Sequence, residues 1–170
     1  MGAGKSTVGK KLALKMNYRF VDLDHYIEEK EQMSIPEIFQ EKGEPFFRQI
    51  EHDMLLEIIE MEENLIVSTG GGAPCHMNNM ELLHSSGITV YLKLDPDEIY
   101  NRLVYARKKN RPLIFNKSPL ELRQFITDKL KEREPFYNKS HLIFSGENLN
   151  IQDIQKCIVS IISNFGAPSN

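Results

Sequence analysis

An α/β fold, with a parallel sheet covered by helices on both faces, is what this sequence predicts, and three observations predict it. Short runs rich in aliphatic, β-branched and aromatic residues alternate with longer stretches of helical spacing. Strands separated by helices imply parallel β-α-β units. A Gly-Lys-Ser turn leads straight into the first helical stretch. The length of 170 residues fits one domain, 1–170, large enough to bury about 70% of its unfolded surface without staples.

The elements follow in order. Val8, Leu12 and Met16 share a helical face over Val8–Met16. Arg19–Leu23, Leu65–Thr69, Thr89–Leu94 and His141–Phe144 read as buried strands. Ser34-Ile-Pro-Glu37 is a capping box that starts a helix. Across Glu44–Met61, residues Phe47, Ile50, Met54, Leu55, Ile58 and Ile59 recur at helical intervals. Asp95-Pro-Asp-Glu98 opens another helix with an N-cap Asp, a Pro and two first-turn acids. Ser118-Pro-Leu-Glu121 repeats the capping box, with Pro119 at the first helical position. The last helix, Ile151–Phe165, is apolar along one side. Ala106–Ser118, carrying Arg107, Lys108, Lys109 and Arg111, reads as an exposed mobile loop.

Composition excludes several classes. With 41% hydrophobic and 26% charged residues, 10 Gly and 8 Pro, the chain is not disordered, collagen-like or of low complexity. A net charge of −3 gives no reason to expect nucleic acid or an anionic membrane as partner. No apolar run reaches 18 residues, and the N-terminus lacks a signal-peptide pattern, so a soluble cytoplasmic protein is expected. Cys75 and Cys157 fit neither a disulfide framework nor a metal site, and the five His show no ligand spacing.

The sharpest signal is Gly2-Ala-Gly-Lys-Ser-Thr7, the end of a phosphate-binding loop of pattern G-x-x-x-x-G-K-[ST]. Glycines allow successive N–H groups, here of Gly2, Ala3, Gly4, Lys5, Ser6 and Thr7, to turn inward around phosphate oxygens. Lys5 would neutralise the β- and γ-phosphates of ATP, Ser6 would join a Mg²⁺ shell, and the helix N-terminus adds its positive dipole end. The first Gly of the pattern falls before Met1, and so does the strand that should precede it. A chain without that strand is expected to be poorly stable and nearly inactive, with the strands ending at Leu23 and Thr69 either lacking the chain between them or closing the gap themselves.

Three further features support this reading. Asp22 and Asp24 stand two apart at a strand end, so both carboxylates are expected to project beyond its carboxyl edge, where open α/β sheets bind ligands. The bland reading of such a pair is a helix N-cap; beside a Mg·ATP loop, one acid serves the metal and one an acceptor hydroxyl. Arg48 and Glu51 sit three apart on one helical face, either as a plain ion pair or as part of a site. Gly70-Gly-Gly72 follows a buried strand, which fits either close approach of a ligand to the main chain or a tight turn.

Taken in order, G-A-G-K-S-T, D-L-D, F-R-x-I-E, S-T-G-G-G, R-P-L and R-x-P-x-Y resemble the shikimate kinases, from Gly2 to Tyr137. The resemblance implies a three-layer P-loop kinase of the nucleoside monophosphate kinase type with strand order 2-3-1-4-5, the first strand absent here. It also implies a substrate-binding helical region near 25–60 and a lid near 105–118. The implied reaction moves the ATP γ-phosphate to the 3-hydroxyl of shikimate, in a monomer. By the same resemblance Asp22 holds Mg²⁺ alongside Ser6, and Asp24 contacts the ring hydroxyls and is the candidate base. Arg48 and Arg133 bind the shikimate carboxylate, Gly71 and Gly72 line the pocket, and Arg111 closes on the phosphates. Phe39, Phe47 and Glu51 brace the pocket; Arg102 or Arg107 is matched to the adenine. Two rivals remain: another P-loop small-molecule kinase such as gluconate kinase, which would have no use for two arginines beside D-L-D, and a nucleotide-binding chain without turnover.

Overall fold

The computed structural model describes residues 2–61, 63–107, 118–146 and 150–165, of which 106, 107, 164 and 165 are backbone only. Helix α1 (Lys5–Met16) starts directly off the Gly-rich turn, with Gly4 at φ +83° and Gly2 at φ +67°. Only glycine holds that left-handed backbone without a Cβ penalty. Strand β1 (Arg19–Asp22) pairs in parallel with β2 (Leu65–Ser68), in register from Arg19↔Leu65 to Asp22↔Ser68. Between them lie α2 (Leu23–Glu31), α3 (Ile35–Glu41) and α4 (Gly43–Ile59). The capping box before α3 forms: Glu37 N–H donates to Ser34 Oγ, and Ser34 N–H donates to Glu37 Oε2 at 2.8 Å. Helix α4 buries Phe47, Ile50, Leu55 and Ile58, the face its spacing predicts.

A 3-10 turn (Ala73–Cys75) and α5 (Asn79–Ser86) lead to β3 (Val90–Lys93), α6 (Pro96–Arg107), α7 (Pro119–Tyr137), β4 (Leu142–Ser145) and α8 (Ile151–Phe165). Strand β3 pairs in parallel with β4, from Val90↔Leu142 to Lys93↔Ser145. The Ser118 capping box forms, and Asp95 N–H donates to Glu98 Oε2 at 3.1 Å at the start of α6. All four strands fall within one residue of their expected ends. The loop expected at Ala106–Ser118, with the lid and Arg111 in it, lies apart from its ends outside the described residues.

The sheet departs from expectation. Among the described residues there are two separate two-stranded sheets, β1–β2 and β3–β4, rather than one. The strands ending at Leu23 and Thr69 pair directly, the second of the two outcomes expected for them, and the break in the sheet falls between β2 and β3. The order 2-3-1-4-5 accounts for this, because its first strand separates the third from the fourth, leaving β1 and β2 neighbours without it.

A slot of about 360 Å³ occupies that place, lined by residues 65–71 on one side and 86–92 on the other. Side chains of a strand alternate between faces, so an unbroken run of lining residues means that each strand turns its hydrogen-bonding edge to the slot. Val8, Leu12, Ile154 and Ile158 also line it, as do Ile58, Met80 and Leu83. The hydrophobic core divides in the same way. Val21, Leu23, Ile27, Ile38, Phe47, Leu55 and Ile58 pack around β1–β2, while Leu92, Leu94, Leu103, Leu122, Ile126 and Ile154 pack around β3–β4. Among the described residues no helix is long and apolar enough to cross a membrane.

Candidate active site

A cleft of about 340 Å³ opens at the carboxyl ends of β1 and β2, lined by Gly2, Gly4, Lys5, Ser6, Thr7, Asp22, Asp24, Ser68, Thr69 and Gly71. The sequence puts them there because α1 begins on a glycine turn and both strands end at this edge. Ser6 Oγ donates to Asp22 Oδ2 at 2.6 Å and lies 3.4 Å from Ser68 Oγ. Arg102 on α6 also lines the cleft and donates from Nη1 to the Ala3 carbonyl at 3.3 Å, holding the phosphate loop from the far side.

Asp22 and Asp24 do share the cleft, but not as two residues of one strand. Asp22 ends β1, whereas Asp24 sits in the first turn of α2. The chain turns helical at Leu23, whose buried side chain joins the β1–β2 core, and that turn swings Asp24 toward the glycine run. The Asp22 side chain makes no cap hydrogen bond to α2. Burial, and then the neighbouring Asp22, push the Asp24 carboxyl up from its ordinary value, with Lys5 pulling the other way.

Beyond Asp24 the cleft continues into a second group of side chains. Arg48 Nη1 donates to Glu51 Oε2 at 2.6 Å, and Arg48 Nη2 donates to Glu44 Oε1 at 3.0 Å. Glu51 is 1% exposed, and burial raises its carboxyl despite Arg48. The glycines are fitted around these groups. A Cβ on Gly70 would stand 2.7 Å from Asp24 Oδ1 and 3.2 Å from Glu51 Oε1, and one on Gly72 would stand 2.8 Å from Arg48 Nη1. Gly72 holds φ −88°, a value open to any residue, so what it supplies is room rather than handedness. Arg133 on α7 faces the same group: its charge acts on Glu51, Cys75 and His76. Phe39 and Phe47 pack with ring centroids 4.6 Å apart.

A shikimate kinase family profile matches residues 1–163. The chain belongs to the shikimate kinase family, enzymes that phosphorylate shikimate. A shikimate kinase of Parabacteroides distasonis is 44% identical over 166 residues, covering 95% of both chains. One of Bacteroides thetaiotaomicron is 46% identical over 149 residues, covering 88% of this chain and 84% of that one. Among solved structures, the shikimate kinase from Bacteroides thetaiotaomicron superposes with a TM-score of 0.86 at 41% identity, covering 96% and 94% of the two chains. The enzyme from Acinetobacter baumannii, solved in complex with shikimate, gives 0.81 at 36% identity, covering 98% and 90%. Membership carries the P-loop kinase fold and ATP as co-substrate.

Within the shikimate kinase frame, the structure brings together Lys5, Ser6, Asp22, Asp24, Gly71 and Gly72, and sets Arg48 and Arg133 beside them. Arg111 lies outside the described residues, and so does the side chain of Arg107. Two residues near the site escaped the sequence reading. Asn79, fully buried, donates from Nδ2 to the Ala73 carbonyl at 3.0 Å and pairs with His52 Nδ1 at 2.6 Å, bracing the turn after the glycines. Tyr137 donates to the Gly71 carbonyl. Asn79 left no trace in the sequence, while Tyr137 stood in the R-x-P-x-Y run.

Proposed function

We propose that the cleft and the arginine pocket form one phosphoryl-transfer site that moves the ATP γ-phosphate to the 3-hydroxyl of shikimate. The single observation that carries this is the position of Asp24: it shares a cleft with Lys5 and Ser6 while its carboxylate abuts Gly70, against which Glu51 of the Arg48 pair also rests. One acid is thereby in reach of both a phosphate and a polar acceptor.

Each group then has work its chemistry suits. Backbone N–H groups of Gly2 to Thr7 cradle the phosphates, Lys5 neutralises charge on the γ-phosphate, and the N-terminus of α1 adds its dipole. Arg48 and Arg133 grip the acceptor's carboxylate, because planar guanidinium groups match that anion better than lysine does. The peptide run Gly71–Gly72 closes the pocket wall. Asp24, raised above the ordinary range, is poised to accept the proton of the attacking hydroxyl. Arg111 is assigned to the phosphates through Asn110-Arg-Pro-Leu113.

The residues also fit Mg²⁺. Ser6 Oγ and the Asp22 carboxylate present hard oxygens 2.6 Å apart on the cleft wall. Mg²⁺ is commonly held by one or two protein oxygens, with phosphates and water filling its shell. When bound, the ion supplies charge neutralisation between the β- and γ-phosphates. Use of ATP as co-substrate supports a cytoplasmic location, and all the groups named stand on one chain, as a monomer requires.

The test is a coupled assay of ATP consumption with shikimate, gluconate or a nucleoside monophosphate as acceptor, with and without Mg²⁺. Turnover dependent on shikimate and Mg²⁺ is expected. Equal turnover with another acceptor and none with shikimate overturns the reading.

A further inference from the structure

Of the R-x-P-x-Y run, the mechanism above uses only Arg133. Tyr137 lies one helical turn further along α7, with its ring against Tyr91 at 5.0 Å between centroids and tilted by 44°. Its hydroxyl donates to the Gly71 carbonyl and lies close enough to Arg133 to feel its charge. One phenol oxygen thus holds the glycine wall of the pocket and stands beside the arginine facing it. Pro135 stands between the two residues inside the helix. It has no N–H to bond back toward Lys131, so this last turn is weakened where both side chains leave it.

The Gly71 carbonyl belongs to the peptide that joins Gly71 to Gly72. In a trans peptide the C=O and N–H point in opposite directions. A grip on the carbonyl therefore fixes the Gly72 N–H on the side away from Tyr137. Glycine peptides rotate with little steric resistance, so this donor has no fixed direction without a clamp. On the Gly72 side stands the guanidinium of Arg48, within 2.9 Å of where a Cβ would be. Arg48 and Tyr137 thus flank the Gly71–Gly72 peptide, with Arg133 beside Tyr137.

We propose that Tyr137 is a positioning residue for the acceptor's carboxylate, holding the Gly71–Gly72 peptide and the Arg133 guanidinium in one register without touching the substrate itself. This rests on the reading above that Arg48 and Arg133 take that carboxylate. Burial pushes the hydroxyl up to about 12, so it remains a donor throughout the pH range of any assay.

The experiment compares wild type, Tyr137→Phe and Arg133→Ala. Each is titrated calorimetrically with shikimate and with its carboxamide, and steady-state kinetics are run with shikimate and ATP. Phenylalanine keeps the ring and its packing and removes only the hydroxyl. One net hydrogen bond corresponds to roughly a threefold to tenfold loss. Tyr137→Phe is expected to weaken shikimate binding and raise its KM by that factor, with kcat and the KM for ATP within about twofold. Binding of the carboxamide should change much less. Tyr137→Leu, which also removes ring packing, should show the same preference for losing the acid over the amide. Unchanged shikimate affinity in Tyr137→Phe, or an equal loss for both ligands, overturns the proposal while leaving the carboxylate site standing if Arg133→Ala still separates acid from amide. If Arg133→Ala does not separate them, the carboxylate reading falls and the role of Tyr137 falls with it.

Discussion

The phosphate loop and the arginine pocket share one edge of the fold but are held in different ways. The pocket is self-braced: Arg48 is bonded to Glu51 and Glu44, Gly72 fits against Arg48, Tyr137 holds Gly71, and Asn79 ties down the next turn. All of it rests on the paired strands β1 and β2 and their own core. The loop is tied differently. Ser6 reaches Asp22, Arg102 reaches the Ala3 carbonyl, and Ala3 and Lys5 also line the slot between the two sheets. The acceptor site is therefore ordered by contacts among its own residues, while the phosphate loop borders the slot between the two sheets.

The largest effect should come from filling it. A chain extended ahead of Met1 by a mainly apolar segment of about five or six strand residues plus a Gly-x junction would pair with the free edges of β2 and β3. Unpaired buried backbone groups cost roughly 1–3 kcal/mol each, and a domain of this size gains about 2–4 °C per kcal/mol. Scanning calorimetry is expected to show a melting temperature higher by about 10 °C or more. Titrations should show ATP affinity rising more than shikimate affinity, and turnover should rise with it. Equal melting temperatures and equal ATP affinities for the two chains would mean that the loop is as self-sufficient as the pocket.

Next in size is Asp24, the residue that joins the two regions. Asp24→Asn should lower kcat by about 10²- to 10⁴-fold, as loss of a general base does. Its stability should move the other way. Because the fold raises this carboxyl, wild-type stability is present at acidic pH and is lost as pH climbs from the ordinary aspartate range through the raised value. The variant should therefore melt with wild type at low pH and above it at neutral pH, and the acid limb of the wild-type kcat profile should lie above the ordinary aspartate range. A variant that loses both activity and stability at neutral pH would show Asp24 to be structural. Asp22→Asn should act chiefly on the loop side, raising the Mg²⁺ concentration needed for half-maximal rate, and should also let the Asp24 carboxyl fall by removing a neighbouring charge.

How much of this could be read from the chain follows the same division. Strands, helices and both capping boxes were legible because buried runs and Ser-x-x-Glu spacing act locally. The side chains of the pocket were legible as types, yet their mutual bracing was not, because Asn79, His52 and Tyr137 meet the glycine run only through tertiary contacts. Asp24 was expected on a strand because alternation was extended one residue too far; burial of Leu23 starts the helix earlier. The gap in the sheet could be inferred from the shortened motif, but its location depends on which strands pair, and pairing is not a local property.

The two arginines come next and differ between themselves. Arg133→Ala removes a charge that forms no salt bridge among the described residues. It should weaken shikimate by roughly 1.5–3 kcal/mol, about 10- to 150-fold, with little change in melting temperature. Arg48→Ala also strands Glu51, buried and already raised by that burial. Its stability should fall further below wild type as pH rises from the ordinary glutamate range, since the unpaired carboxylate must ionise inside the fold. Melting temperatures of both variants between about pH 4 and pH 8 separate the cases. A parallel pH dependence for the two would show that Arg48 and Glu51 do not depend on each other.

The smallest and sharpest effects belong to the glycines, which tell the two regions apart by one methyl group. A Cβ at Gly70 meets Asp24 Oδ1 at 2.7 Å, while a Cβ at Gly72 meets the Arg48 guanidinium nitrogens at 2.8 and 2.9 Å. Neither glycine has a positive φ among the described residues, so alanine brings a contact rather than backbone strain. The closest contact in each case is with the end of a side chain, which must shift to admit the methyl group, so melting temperatures should fall less than for a clash with backbone. The functional consequences should divide. Gly70→Ala displaces the candidate base and should lower kcat by about threefold to tenfold with the KM for shikimate nearly unchanged. Gly72→Ala displaces the carboxylate-binding arginine and should raise that KM by a similar factor with kcat nearly unchanged. The factor is that of one perturbed hydrogen bond, about 0.5–1.5 kcal/mol. Steady-state kinetics on both variants decide it. If both changes fell on KM, Asp24 would be holding the acceptor rather than activating it, and the junction between loop and pocket would be a binding contact only.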